Sequence, residues 1–257
     1  MSAELDELKD LTRSLRRRVS LSDPSDWVAG ASSPESKTAA KAVAASVKAA
    51  AMTPAKDDRT GDLAALAEKI HACRACPLGA TRIQAVPGMG DAKAQVMFIG
   101  EGPGFKEDHE GKPFIGRSGQ LLDKIMESIG LSRETVYIAN IVKCHPMKNP
   151  ADPESHGNDR PPTPEEMDAC RGWLEAQIRA IKPKVIVTLG AVPARALLGD
   201  ETPITKIRGQ WRTYDPGAGL PPIKLLPTFH PAALLRNPTL KLDVWNDMKN
   251  LKKELSK

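Results

Sequence analysis

From residue 62 onward, short apolar runs alternate with stretches in which apolar residues recur every three or four positions. The runs at 95–99, 136–140 and 185–189 predict buried strands. Helical spacing predicts helices over about 62–73, 117–130, 164–181, 191–198 and 239–255, with a hairpin-like region at 206–228. The helix at 164–181 starts after Thr163-Pro-Glu-Glu166, with proline and carboxylates where a first turn favours them. The strand at 185–189 stops at Gly190. Strands alternating with helices predict an α/β fold, a mostly parallel sheet covered on both faces. Ligands of such sheets sit outside the carboxyl ends of the strands, which singles out the loops after Ile99, Asn140 and Phe229. No internal repeat is present.

The first sixty residues read differently. Leu5, Leu8, Leu11, Leu15 and Val19 fall at helical spacing, with Arg16-Arg-Arg18 near the end. One amphipathic helix of this length is marginal alone, so it is expected to dock on the body or to contact a protein partner. Residues 29–60 are rich in Ala, Ser, Lys and Pro and contain no aromatic, the composition of a flexible linker. The expected organisation is therefore an N-terminal helix and linker at 1–60 and one globular domain at 61–257.

The globular part is long enough to bury a core without disulfides. Nothing approaches the ~18 consecutive apolar residues of a membrane span, and the first residues lack a basic-then-apolar signal pattern. A cytoplasmic, membrane-free monomer is expected. Thiols stay reduced there, so clustered cysteines suggest metal rather than disulfides. Net charge is +5. Residues 1–60 hold ten Lys/Arg against nine Asp/Glu, so the excess lies mainly in the globular part. That is compatible with an anionic polymer as partner, without requiring one.

Candidate chemistry concentrates in three places. An apolar run breaks at Gly100-Glu-Gly-Pro-Gly104 into a glycine-rich loop with Glu107 and Asp108, then presents Phe114 within Lys112-Pro-Phe-Ile-Gly-Arg-Ser-Gly119. Such loops can hold a ligand against backbone amides. Cys73-Arg-Ala-Cys76 is a short chelating pair, and Cys144 and Cys170 are single and distant. Four thiolates suit an iron–sulfur cluster or tetrahedral zinc, and four unrelated buried thiols fit the spacing too. The third place is His230-Pro-Ala-Ala-Leu-Leu-Arg236.

These motifs, in this order and with Asn140 between them, resemble the family 4 uracil-DNA glycosylases, the iron–sulfur branch of that superfamily. The resemblance covers about residues 62–255. It implies a three-layer α/β/α sandwich around a four-stranded parallel sheet. It implies a 4Fe-4S cluster, rather than zinc, on Cys73, Cys76, Cys144 and Cys170. The implied reaction is hydrolysis of the uracil N-glycosidic bond in single- or double-stranded DNA, the first step of base excision repair.

Residue by residue, the resemblance makes Phe114 a stacking platform for the flipped base and Asn140 the amide that reads its edge. Glu107 would lie beside C5 and exclude the thymine methyl group. His230 would hydrogen-bond uracil O2 as negative charge develops. Leu234 and Leu235 would wedge into the gap, and Arg236 would hold a phosphate. Where the superfamily's best-known branch carries a water-positioning Asp, this chain has Gly102; Glu101 is the nearest carboxylate and the candidate for that task. His71, His109, His145 and His156 have no comparable pattern around them and are expected at the surface.

The segment 145–169 is long for the family and lacks the Lys-Arg-Arg-Ile-His motif of a related, covalently trapped branch, so turnover is expected. The alternative from another class is a non-catalytic DNA-binding or polymerase-associated protein on the same scaffold. A phosphate-loop hydrolase is excluded, because six residues separate Gly104 from Gly111-Lys112 and Pro113 follows. A serine hydrolase is disfavoured, because Gly119 directly follows Ser118.

Overall fold

A computed structural model describes residues 58–217 and 219–257. The helix expected near residues 4–19 and nearly all of the linker lie outside the described residues. In chain order come α1 (Arg59–Ala72), α2 (Leu78–Thr81), β1 (Met89–Gly90), β2 (Val96–Gly100), α3 (Phe105–Glu110) and α4 (Arg117–Glu127). Then follow β3 (Tyr137–Asn140), α5 (Pro164–Ile181), β4 (Val185–Leu189), α6 (Ala191–Leu198) and α7 (Ile204–Ile207). The chain ends with β5 (Arg212–Tyr214), β6 (Ile223–Thr228), α8 (Pro231–Arg236), a 3-10 turn (Pro238–Leu240) and α9 (Lys241–Leu255).

The six strands form one sheet in the order β1-β3-β2-β4-β6-β5. The inner four are parallel, as expected. An antiparallel strand on each edge, β1 on β3 and β5 on β6, raises the count from four to six. Two and three residues long, these edge strands carry too little pattern to read from sequence. From β2 the chain moves outward to β3, then crosses back to β4 on the other side of β2. The carboxyl end of β2 is thus a topological switch point, where open α/β sheets bind ligands.

Alternation within β2 divides the interior. Val96 and Phe98 face one layer, with Leu122 and Met126 of α4 and Val244, Met248 and Leu251 of α9. Met97 and Ile99 face the other, with Leu174, Ile178 and Ile181 of α5. Burying each such side chain contributes about 1.5–3 kcal/mol. The start of α5 follows from local chemistry. Thr163 and Glu166 form a capping box in which each side chain accepts from the other's main-chain N–H, at 3.3 and 2.8 Å. Arg160 pairs with both oxygens of Glu166, at 2.6 and 2.8 Å, which ties the preceding loop to the same helix end. Among the described residues no helix is long and apolar enough to cross a membrane.

Candidate active site

A cleft of about 660 Å³ opens at the carboxyl ends of β2, β3, β4 and β6, and the loops after these strands line it. Glu101, Gly102, Glu107, Phe114, Asn140, His230 and Arg236 all contribute to its wall. Motifs separated by up to 135 positions in sequence therefore meet at the switch point.

The centre of the cleft is organised by a missing side chain. A Cβ on Gly100 would lie 2.4 Å from Asn140 Oδ1 and 2.5 Å from Phe114 Cζ, so amide and phenyl ring both close over that glycine. Asn140 is 1% exposed, and its Oδ1 has no hydrogen-bond partner. Buried polar atoms are rarely left unpaired, and an orphan in a cleft marks a place for an incoming donor. Phe114 has φ 54°, a left-handed conformation that costs a bulky residue on the order of 1–3 kcal/mol. It is held there from several sides. Arg133 donates to the carbonyls of Pro113 (3.0 Å) and Phe114 and pairs with Asp123 at 2.7 Å. Glu107 Oε1 accepts from the N–H groups of Ile115 and Gly116, each at 2.9 Å. Gly119 lets α4 approach, since a Cβ there would sit 1.6 Å from the Phe114 oxygen.

The His230 ring lies 5.6 Å from that of Phe114, centroid to centroid. It begins α8, where the Ala232 N–H donates to its Nδ1 at 3.1 Å. An accepting Nδ1 carries no proton, so the neutral ring carries its proton on Nε2 and is a donor there. Burial, assisted by the Arg236 charge, holds the imidazole pKa down to about 4 and keeps the ring neutral. Thr228, at the end of β6, donates to the fully buried Asp247 of α9 at 2.7 Å, which fixes the strand end leading to His230. Glu101 is half-buried, and burial raises its carboxyl above the usual range.

Two sequence expectations need correction. Leu234 is 2% exposed and packs in the core beneath α8, so it is no wedge. Its neighbour Leu235 is 42% exposed. His145 is not a surface residue either; it is fully buried, with Nε2 2.7 Å from Asp159 and Nδ1 3.5 Å from Asp108. Burial opposes charge on this ring, but the two carboxylates outweigh it and raise the pKa to about 9. His145 thereby fastens the start of the 145–169 segment to α3. That segment returns over the cleft, where the exposed His156 packs on Phe105 at 4.2 Å and both line the opening. Arg133, His145 and the Phe105–His156 pair carry no pattern in the sequence that marks them.

In the layer that packs against α5, Cys73, Cys76, Cys144 and Cys170 line one cavity, between α1, α2, the segment after β3 and α5. Cys144 and Cys170 are buried, and Cys73 and Cys76 half-buried. Arg82 donates to Cys144 Sγ at 2.8 Å, and the Lys143 N–H to Cys170 Sγ at 3.3 Å. Burial pushes the Cys144 thiol up to about 11, partly offset by Arg82. Among the described residues no three His, Cys, Asp or Glu side chains gather closely enough to hold a single metal ion.

Fold and cleft together define an α/β protein with an open cleft at the strand switch point. The model of the uracil DNA glycosylase superfamily matches residues 87–249. A type-4 uracil-DNA glycosylase of Thermotoga maritima is 44% identical over 173 residues, 67% of this chain and 82% of that protein. The type-4 enzyme of Archaeoglobus fulgidus is 38% identical over 190 residues, covering 72% and 89%. That of Saccharolobus solfataricus is 40% identical over 196 residues, covering 74% and 85%. This chain belongs to the uracil-DNA glycosylase superfamily.

Proposed function

We propose that the protein is a uracil-DNA glycosylase, which takes uracil out of single- or double-stranded DNA and hydrolyses its N-glycosidic bond to start base excision repair. The observation that carries this reading is the buried, unpartnered Asn140 amide oxygen set beside the Phe114 ring over Gly100. A flipped base stacks on Phe114, which is worth ~1–3 kcal/mol and is indifferent to base identity. Selection comes from the Asn140 amide, whose oxygen accepts from uracil N3–H and whose NH2 donates to O4. Cytosine presents an acceptor at N3 and would leave the amide oxygen unpaired in a buried site. Glu107, fixed by two main-chain N–H groups, stands where a 5-methyl group would intrude.

Bond cleavage leaves negative charge on the pyrimidine. His230, neutral with its proton on Nε2, donates to O2 as that charge develops and needs no proton exchange with water. Glu101 takes the task of orienting water on the sugar side; its half-buried carboxylate must be ionised to act. Leu235 fills the gap left by the base and Arg236 meets a phosphate, both exposed at the end of α8.

The four cysteines line one cavity, and with the family resemblance they are read as ligands of an iron–sulfur cluster rather than of zinc. Four thiols around one cavity suit a cluster that takes one thiolate at each iron. When bound, a 4Fe-4S cluster supplies a structural tie between the α1–α2 arm, the β3 exit and α5.

The test is single-turnover release of free uracil from single- and double-stranded oligonucleotides by wild type, Asn140→Ala and His230→Ala. Wild type is expected to release uracil and turn over without a covalent adduct, while both variants are impaired. Binding of DNA without release would instead favour the non-catalytic scaffold protein.

A further inference from the structure

Lys143 is a buried charge with no role in the chemistry above. The residue is 0% exposed, and its Nζ donates to the main-chain oxygen of Asn140 at 2.8 Å and to Oε1 of Gln177 at 2.7 Å. Both acceptors are neutral, and among the described residues no carboxylate pairs with it. A lone ammonium is costly to bury, and an opposite charge close by offsets that cost. The groups that can supply that charge here are sulfur. Lys143 lines the four-cysteine cavity, and its own N–H points at Cys170 Sγ. A second cation faces the same cavity: the guanidinium of Arg82 donates to Cys144 Sγ at 2.8 Å while holding the carbonyls of His71 and Cys73. An anionic group held on these sulfurs would lie against both cations.

We propose that Lys143 and Arg82 are the charge-compensating residues of an anionic, thiolate-ligated iron–sulfur cluster in this cavity. The assignment rests on the cluster reading given above. Net charge and hydrogen bonds to sulfur set the reduction potential of such clusters. Each cation therefore favours the more reduced, more negative state and raises the potential. A residue that merely filled space would leave the potential where it was.

The experiment is a spectroelectrochemical titration of the full-length, anaerobically purified protein, with iron and acid-labile sulfide counted per chain. Wild type is compared with Lys143→Met, which keeps the length of the side chain without its charge, and with Arg82→Gln. Both variants are expected to show a midpoint more negative than wild type, with the larger shift in Lys143→Met because its ammonium is fully buried. Unchanged midpoints in iron-loaded variants overturn the assignment and leave the cluster in place. Wild-type protein without iron and sulfide overturns the assignment together with the cluster reading. Should Lys143→Met fail to fold by circular dichroism, the shift in Arg82→Gln decides alone.

Discussion

Asn140 and Cys144 are four residues apart, yet they serve opposite kinds of site. Asn140 faces a cleft with an orphaned acceptor, a left-handed phenylalanine and half-exposed walls. Cys144 faces a cavity in which no buried side-chain nitrogen or oxygen lacks a partner among the described residues, and where the Arg82 guanidinium already meets its sulfur. The cleft holds an unpaired buried acceptor that an incoming donor would satisfy. The cavity holds contacts to sulfur that the proposed cluster would complete. Substitutions in the first should therefore cost activity and spare stability, and substitutions in the second should do the reverse.

The largest expected effect tests the resident side. Cys144→Ser should lower unfolding free energy by more than the ~0.5–3 kcal/mol of an ordinary substitution, because it removes an anchor of the α1–α2 arm; denaturant titration of the anaerobic protein measures it. A loss within the ordinary range would end the claim that this cavity is structural. Next, His230→Ala should slow single-turnover uracil release by roughly 10²–10³, the usual worth of a preorganised donor, with little change in melting temperature.

Asn140→Ala sharpens the contrast further. It should cost about 1–3 kcal/mol in kcat/KM on uracil substrates, while stability holds or rises because an unpaired buried oxygen has gone. A clear loss of stability would show that the amide is a structural member. The pH dependence follows from two groups that act in their deprotonated forms. His230 is depressed to about 4 and Glu101 is raised above the ordinary 4.5, so activity should fall on acidification through the Glu101 ionisation first. Glu101→Gln should be slow and should lack that limb; full activity would remove Glu101 from the mechanism. For stability the His230 shift has the opposite reference. Between about 4 and 6.5 the unfolded chain binds the proton that the folded ring refuses, so this group's contribution rises with pH across that window and then levels off. The smallest effect belongs to Leu235→Ala, which should reduce release only a few-fold from duplex DNA and leave single strands untouched, since only a duplex has a gap to fill.

Much of the molecule could be read ahead of its structure. Helices α5 and α6 and strand β4 begin and end where capping chemistry, Gly190 and the apolar runs put them. The loops after Ile99, Asn140 and Phe229 likewise meet in one cleft, because each follows a strand of a parallel sheet and parallel strands deliver their carboxyl ends to one side. Other features gave no local sign. Leu234 and Leu235 are identical in sequence and opposite in burial, since a 100° step around a short helix separates core from solvent.

Local pattern was enough to set strand and helix type, the strand-end loops that line the cleft and the residue types gathered there, for periodicity and capping act over a few neighbouring positions. Three-dimensional packing alone placed His145 between two carboxylates, gave Phe114 its left-handed backbone under the Arg133 clamp, and buried Lys143 in the wall of the four-cysteine cavity. Such arrangements depend on which distant groups surround a side chain, and burial and electrostatic partners have no period along the chain.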